Sequence, residues 1–151
     1  MTDDNPELPD LARVLKRCAC FNVRSAARAV TGFYDAALET AGLRMTQLAI
    51  LAVIRAHGTR TMQALARDLG LDPSTMTRTL QPLLDTKLVR IEPAQDDGRS
   101  KQVVLTAAGH KALDRGYALW NQTQDSLREQ LGAERFDRLI EDLAAVTRLL
   151  K

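Results

Sequence analysis

Apolar positions recur every three or four residues along most of the chain, which predicts a largely helical protein. The pattern indicates one long helix over residues 9 to about 40, because no proline interrupts it and Gly42 follows it. A second helix is predicted to begin with Thr46 as its N-cap and to run to Gly58. Apolar side chains lie nearly all round that second helix, so we expect it to be buried in the centre of the fold.

Two shorter helices separated by a tight turn are predicted next. The first covers Met62–Leu69 and ends at Gly70, and the second opens at Asp72-Pro73 and runs to about Thr86. Aspartate at the N-cap and proline at the first helical position are a strong start signal. Pro82 deletes a backbone hydrogen bond inside the second helix, so we expect a bend in its second half.

After Lys87 the pattern changes to two short strands, residues 88–92 and 102–105. They flank a polar turn, residues 93–101, with Gly98 at its tip, which predicts a β-hairpin. Thr106 is then the predicted N-cap of a long helix that ends at Leu131, and a last helix follows Gly132.

The last two helices carry stripes of mostly apolar residues at alternating spacings of three and four. A core this small offers them little to pack against besides the long first helix, so we expect the stripes to form a subunit interface. Their members are Leu113, Tyr117, Trp120, Gln124, Leu127 and Leu131 in one helix, and Phe136, Leu139, Ile140, Leu143, Val146 and Leu150 in the other.

Composition restricts the class of protein without identifying it. The 151 residues suit one compact domain, or one domain with an added dimerisation element, and 45% hydrophobic with 26% charged residues is ordinary globular usage. No apolar run approaches the roughly 18 residues of a membrane span, and the acidic start does not resemble a secretory signal. We therefore expect a cytoplasmic protein that does not bind membranes, with a flexible acidic tail at residues 1–9. A net charge of +2 neither requires nor excludes a polyanionic partner.

The order of helix, helix, turn, helix and hairpin predicts a winged helix-turn-helix in a mainly α fold. Ala66 is small enough for two helices to cross closely, and Gly70 permits a left-handed turn between them. The polar face of the helix after the turn carries side chains that can read base edges and bind phosphates. These residues are Ser74, Thr75, Thr77, Arg78 and Gln81. Taken alone, the segment also fits an ordinary helical hairpin with a solvated polar face.

The hairpin adds a specific signature. With Asp97-Gly98-Arg99 followed by Val103-x-Leu105-Thr106-x-x-Gly109, the chain resembles the multiple-antibiotic-resistance regulator (MarR) family of bacterial transcription factors, which carries D-x-R and L-T-x-x-G at these places. Gly42-Leu43-x-x-Thr46-Gln47 and the helix-turn-helix match as well, so the resemblance covers essentially the whole chain. Arg99 at the wing tip is suited to a minor groove or a phosphate, and Asp97 to holding it there; a plain surface ion pair is the alternative.

The resemblance implies a homodimer whose N- and C-terminal helices interlock. Two recognition helices would then lie one helical turn apart in successive major grooves of a pseudo-palindromic duplex. Residues 10–41 would form a dimerisation and effector helix, residues 44–106 the DNA-binding domain and residues 107–151 the other dimerisation helices. We expect a repressor whose DNA affinity falls steeply with salt.

Within the family, residues 18–34 are similar to the first helix of the organic-hydroperoxide-sensing branch. Cys20 takes the position of its peroxidatic cysteine, and Tyr34 that of a tyrosine that hydrogen-bonds the cysteine across the dimer. Arg28 also matches, but a second tyrosine of that branch is replaced by Arg24, whose positive charge favours a thiolate. Residues i and i+2 of a helix face roughly 200° apart, so Cys18 and Cys20 would pair within one chain only if the helix frayed. Pairing between subunits is the simpler expectation.

Two other interpretations of this region stay open. Both cysteines suit small apolar sites, where free cysteine commonly lies. Alternatively, an aromatic or phenolic acid binds between the dimerisation helices and the winged domain, with Arg24 or Arg28 holding its carboxylate. Its apolar walls would come from Phe21, Phe33, Tyr34 and Trp120, although such a set also suits simple core packing. Either effector would act by shifting the separation of the two recognition helices.

No motif indicates an enzyme, a cofactor or a metal site. The chain lacks H-E-x-x-H, a phosphate-binding glycine loop and G-x-S-x-G, and His57 and His110 have no ligand neighbour at metal spacing. The predicted partners are double-stranded DNA, a second copy of the chain, and a small molecule or hydroperoxide as effector. The alternative class is a winged-helix module that binds proteins and has no sequence-specific DNA binding.

Overall fold

A computed structural model of the chain describes residues 11–94 and 100–150. Seven α-helices lie in these ranges: α1 Leu11–Leu15, α2 Ala19–Leu38, α3 Met45–His57, α4 Met62–Leu69, α5 Pro73–Asp85, α6 Ala107–Leu131 and α7 Ala133–Leu149. A 3₁₀ helix, Glu39–Ala41, follows α2, and the strands are β1 Arg60–Thr61, β2 Val89–Pro93 and β3 Lys101–Leu105. The predicted fold class, mainly α with a small antiparallel wing, is confirmed. The chain divides into two compact units, Met1–Phe33 and Tyr34–Lys151.

The prediction of one uninterrupted helix in the first unit is wrong, because α1 ends at Leu15 and α2 begins at Ala19. The Asn22 side-chain amide donates to the carbonyls of Lys16 (2.9 Å) and Cys18 (2.8 Å), and the Cys18 N–H bonds back to Leu15 O at 3.0 Å. A side-chain amide that donates to main-chain carbonyls competes with the main-chain hydrogen bonds of a helix, and the chain turns at this point.

The core of the second unit is built around α3. Leu48, Ile50, Leu51 and Ile54 are buried, which confirms a central helix. They pack with buried residues of α4, α5, the sheet and α6, which include Leu65, Met76, Leu80, Val103 and Leu113.

The predicted N-cap of α3 is wrong: the cap is Arg44, not Thr46. The Asp35 carboxylate accepts from the Met45 N–H at 2.7 Å, and the Gln47 side chain accepts from the Arg44 N–H at 2.9 Å. Since Asp35 and Gln47 satisfy these N–H groups, the cap position needs no hydroxyl of its own.

The sheet is antiparallel with strand order β1-β3-β2. The predicted hairpin is confirmed, with Val89 opposite Leu105 and Ile91 opposite Val103. The third strand, β1, was not predicted; it has only two residues and pairs Arg60 with Val103. The described residues include both strands of the wing but not residues 95–99, so the predicted Asp97, Gly98 and Arg99 lie outside them.

Thr106 joins α6 to the start of the wing, and its predicted role as N-cap is confirmed. Its hydroxyl accepts from the Gly109 N–H at 3.0 Å and donates to Lys87 O at 2.8 Å. A side chain at Gly109 would put its Cβ 2.0 Å from Leu88 O. The L-T-x-x-G motif therefore packs the start of α6 closely against the residues that precede β2.

Within the described ranges, no single helix is both long and apolar enough to cross a membrane; only the bent pair Ala19–Ala41 and Met45–His57 reaches that composition together.

Candidate nucleic-acid interface

The turn between α4 and α5 has the predicted geometry. Gly70 has φ 64° in the left-handed region, and the Leu71 N–H bonds back to Ala66 O at 2.8 Å. Leu65 and Ala66 are buried beneath it. This closure at the C-terminus of α4 fixes the direction in which α5 begins.

Helix α5 has one buried and one polar side. Met76, Leu80 and Leu83 are each 1% exposed, so they anchor the helix in the core. On the other side Ser74, Thr77, Arg78 and Gln81 are exposed and Thr75 is half-buried. Residues at these spacings share a helix face, so the structure brings all five predicted α5 residues to one surface.

Asp72 organises the start of this surface. Its carboxylate accepts the hydroxyl of Ser74, the N–H of Thr75 (2.9 Å) and the hydroxyl of Thr75 (2.6 Å). These hydrogen bonds to the ionised form hold the pKa of Asp72 well below its usual range. Arg78 in turn donates to the Thr75 hydroxyl at 3.3 Å, which joins Ser74, Thr75 and Arg78 in one network.

The other polar residues of α5 bond within the helix. Thr77 donates to Pro73 O (3.0 Å) and Thr79 to Thr75 O (2.8 Å). The Gln81 amide donates to Asp85 at 2.8 Å. Thr79 and Asp85 were not among the residues predicted from sequence, although the spacing of four from Gln81 to Asp85 is a signal for such a pair.

The strands of the wing are joined beyond the ladder by the Ala94 N–H, which donates to Ser100 O at 2.8 Å. Arg90 pairs with Glu92 on β2. At the other edge, Arg60 of β1 lies 3.3 Å from Asp68 of α4, so an ion pair connects the sheet to the helix-turn-helix.

The predicted effector residues fall in both units. In the first unit Cys18 is half-buried between α1 and α2, whereas Cys20, Arg24 and Arg28 of α2 are exposed. Among the described residues, no group of three or more His, Cys, Asp or Glu side chains is placed to hold a metal ion.

In the second unit Tyr34 is buried and its hydroxyl donates to Gln124 Oε1 of α6. Burial raises the pKa of the Tyr34 phenol, because the phenolate would lose its hydration. Trp120 lies one turn earlier on α6, is half-buried and stacks on Tyr117 with ring centroids 5.7 Å apart.

A groove between α3 and α6 contains a cavity that the sequence did not predict. The cavity measures about 230 Å³ and is lined by Met45, Leu48, Ala49, Ala52, Leu113, Tyr117 and Trp120. A neighbouring hollow of about 330 Å³ shares three of these residues and adds Arg55 and Asp114, which form an ion pair. Of the predicted aromatic walls, Trp120 lines the cavity. Ala49 and Ala52 on α3 are the sequence signal for this groove, because their small side chains leave space between α3 and α6.

A helix-turn-helix with its polar helix face outward, followed by an antiparallel wing, is an architecture of DNA-binding proteins. The fold and this surface define a winged-helix transcription regulator.

Comparisons with known proteins identify the family. The model of the MarR family matches residues 41–100. The transcriptional regulator MosR of M. tuberculosis is 35% identical over 87% of this chain and 96% of that one, with a TM-score of 0.72. A second MosR structure, in complex with DNA, is 36% identical over 89% and 98% of the two chains, with a TM-score of 0.74. The repressor CouR bound to a 23-mer DNA duplex shares the fold, with a TM-score of 0.80 at 24% identity over 88% and 94%. No curated protein matches the chain.

The chain belongs to the MarR family, whose members are DNA-binding transcription regulators that act as dimers. The predictions of family and of DNA-binding regulation are confirmed. Its relatives are transcriptional regulators rather than enzymes.

Proposed function

We propose that this protein represses transcription as a homodimer on a pseudo-palindromic operator and that an effector releases it. Residues 44–106 contact DNA, while residues 10–41 and 107–151 hold the two chains together. The observation that carries the proposal is α5: Met76, Leu80 and Leu83 anchor it, and its opposite face presents hydrogen-bonding side chains. A helix exposed in this way fits a major groove.

The predicted contacts have different chemistry. Arg78 is suited to the two acceptors of guanine, and Gln81 to the donor and acceptor of adenine, so both can read sequence. From the sequence we expect Arg99 of the wing, supported by Asp97, to bind a phosphate or enter a minor groove, which adds affinity with less dependence on sequence.

The test is fluorescence anisotropy of the full chain on duplexes from the region upstream of its own gene, at several salt concentrations. Arg78→Ala and Gln81→Ala are each expected to weaken binding about 5- to 100-fold and to change the preferred sequence. Arg99→Ala should weaken all duplexes to a similar degree and lower the salt slope by about one. Arg115→Ala on α6 is the matched control, because it removes an exposed arginine that is outside residues 44–106 and is not a member of the predicted apolar stripe of α6. Sedimentation of this variant checks that it is still a dimer.

If a variant with alanine at positions 78, 81 and 99 together still binds DNA, this surface is not the DNA-binding surface. Failure of the wild type to prefer any duplex would instead favour a winged-helix module that binds another protein. Loss of binding in a variant supports the surface only where sedimentation shows an intact dimer, because a misfolded chain would also lose binding.

Oxidation at Cys20 is the first candidate effector. A continuous helix would have to fray before Cys18 could pair with Cys20, but Cys18 lies outside α2 and Cys20 in its first turn. In the proposed step the Cys20 thiolate attacks a hydroperoxide, giving a sulfenic acid and an alcohol once a proton is taken up. The Cys18 thiolate then attacks the sulfenic sulfur, and a disulfide forms with loss of hydroxide, which is protonated to water.

This candidate is tested by adding organic hydroperoxide to the reduced protein–DNA complex. Release of the wild type but not of Cys20→Ser supports it. Mass spectrometry of the oxidised, unreduced wild type then distinguishes a pair within the chain, which keeps the mass of one chain, from one between subunits, which has the mass of two. Tight binding by the oxidised wild type would exclude oxidation as the signal.

An aromatic acid is the second candidate, favoured by the cavity between α3 and α6. Its walls are almost wholly apolar and include Tyr117 and Trp120, and Arg55 at the adjoining hollow offers a guanidinium to the carboxylate. A ligand carboxylate would compete with Asp114 for that guanidinium.

Trp120 reports on this site directly, since the chain has one tryptophan. Titration with benzoates and cinnamates should quench its fluorescence and release DNA, and Arg55→Ala should weaken acids but not the matching amides. Equal affinity for acid and amide would exclude Arg55 as the clamp.

We place this protein in the cytoplasm, where a regulator reaches chromosomal DNA, and assign it no catalytic activity. The support is the regulatory function of its relatives.

A further inference from the structure

The hydroxyl groups of α5 share one property: each donates its proton inside the chain. Ser74 and Thr75 donate to the Asp72 carboxylate, Thr77 to Pro73 O and Thr79 to Thr75 O. These four are all the serine and threonine residues of the helix.

Chemistry fixes the direction of these bonds. A main-chain carbonyl has no proton to give, and neither has an ionised carboxylate, so a hydroxyl that bonds to either must be the donor. The low pKa of Asp72 keeps its carboxylate ionised at any physiological pH. What such a hydroxyl can offer to a third group is the lone pairs of its oxygen.

DNA presents two kinds of partner to an oxygen of this kind. Phosphate oxygens are acceptors and therefore do not match it. In the major groove, the N6 amino group of adenine and the N4 amino group of cytosine are donors and do match it.

The charge of Asp72 acts in the same direction. The N-terminus of a helix ordinarily attracts a phosphate, because its free N–H groups and dipole are positive. Here the carboxylate takes the Thr75 N–H and places a negative charge at that end of α5. A phosphate is thereby disfavoured at the point where the recognition helix begins.

We propose that Ser74 and Thr77, the two exposed hydroxyls of α5, accept hydrogen bonds from adenine or cytosine amino groups, and that Asp72 is the positioning residue that turns the start of this helix from phosphates towards base edges. Thr75 has a different part, since it is half-buried and its oxygen accepts from Arg78. The inference rests on the proposed placement of α5 in a major groove and specifies what that face reads.

The test begins with wild-type dimer and a pool of randomised duplexes, from which the preferred sequence is selected. Failure to enrich any sequence would count against the proposed function itself. In the preferred duplex, single adenines are replaced by purine, which lacks the N6 amino group. Single cytosines are replaced by pyrimidin-2-one, which lacks the N4 amino group. Separate duplexes carry single methylphosphonates, which remove one phosphate charge each.

Wild type is expected to lose affinity about 5- to 10-fold at particular amino deletions. Ser74→Ala or Thr77→Val should lose affinity by the same factor on the unmodified duplex. Each variant should lose no further affinity on the duplex that lacks the amino group its hydroxyl would have contacted. Thr77→Ser should restore the wild-type response. Coupling of either variant to a methylphosphonate instead of an amino deletion would show that the hydroxyls bind phosphate and would overturn the proposal.

Asp72→Asn tests the positioning role with the cap preserved, because the amide oxygen still accepts the Thr75 N–H. We expect non-specific affinity to rise about 10-fold and the ratio of specific to non-specific affinity to fall. Asp125→Asn is the control: it removes the same charge from an exposed residue of α6, outside the proposed DNA-binding segment. An unchanged ratio in Asp72→Asn, or an equal fall in Asp125→Asn, would exclude a special role for Asp72.

Discussion

At Gly109 the absence of a side chain lets α6 touch the backbone of the wing. A Cβ there would lie 2.0 Å from Leu88 O and 3.2 Å from Leu105 Cδ2. The Leu88 carbonyl also accepts from the Thr106 N–H at 3.1 Å, so it has little freedom to move away. Helix and strand are therefore held at a distance that only glycine allows.

Gly109→Ala is predicted to destabilise the fold by about 3 kcal/mol, because the added methyl forces backbone to shift in a packed region. For a chain of this size, thermal unfolding should show a midpoint lower by about 10 °C. His110→Ala, the next residue and an exposed one, is the control and should change the midpoint little. Equal midpoints for Gly109→Ala and wild type would contradict the close approach of α6 to Leu88 O.

Tyr34 provides a prediction about pH. Burial raises its pKa in the folded state above the ordinary value of 10.0, so its stabilising effect is complete below pH 10 and is lost as pH rises through the folded-state value. The free energy of unfolding in urea, measured from pH 8 to 11, should fall more steeply in wild type than in Tyr34→Phe. At neutral pH, loss of the bond to Gln124 should cost about 1 kcal/mol. Parallel pH profiles would contradict the prediction.

Among the elements, helix α5 has an unusual end. Lys87 follows α5 with φ 57°, a left-handed conformation that a lysine adopts at a cost. Its N–H bonds to Leu84 O at 3.0 Å, and the Leu88 N–H reaches back to Leu83 O at 2.9 Å. This is the closure that glycine commonly provides at the end of a helix.

Lys87→Gly should therefore stabilise the protein by about 1 kcal/mol, since it relieves the left-handed strain. The same exchange at Lys111, an exposed residue inside α6, should destabilise it by about 1 kcal/mol. Urea unfolding of the two variants gives the comparison. Changes of the same sign at both positions would mean that the conformation of Lys87 carries no strain.

The sequence predicts elements well where their signals are local. Asp72 with Pro73 marks the start of α5, and Thr106 marks that of α6, because each cap acts within three residues of itself. The signals fail where a distant group intervenes, as when Asp35 supplies the acceptor at the start of α3. The break before α2 depends on the geometry of the Asn22 amide, which hydrophobic spacing does not record.

The candidate site follows the same rule. Periodicity alone separates the exposed face of α5 from its buried one, so Arg78 and Gln81 are found from sequence. The partner of Tyr34 is 90 residues away at Gln124, and no spacing rule connects them. The cavity between α3 and α6 likewise exists only once the two helices pack.

For the whole molecule, α7 indicates what a single chain leaves unburied. Phe136 is its one buried residue, whereas Leu139, Ile140, Leu143 and Val146 are 39–50% exposed along one stripe. Apolar stripes of this kind are stable in water when another helix covers them. Because proteins of this family act as dimers, we expect a second copy to cover it.

A double substitution, Ile140→Glu with Leu143→Glu, should therefore produce a folded monomer, because two charges replace apolar contacts at the proposed interface. Sedimentation velocity should show a dimer for wild type and a monomer for the variant. Affinity for a full pseudo-palindrome should fall about 100-fold or more, since the second half-site is no longer bound within one complex. Affinity for a single half-site should stay the same, and Glu141→Gln on the same helix should leave both the dimer and its DNA affinity unchanged. A dimeric double variant would mean that the two chains join elsewhere, and a monomeric variant with full affinity would mean that one winged domain is enough to hold the operator.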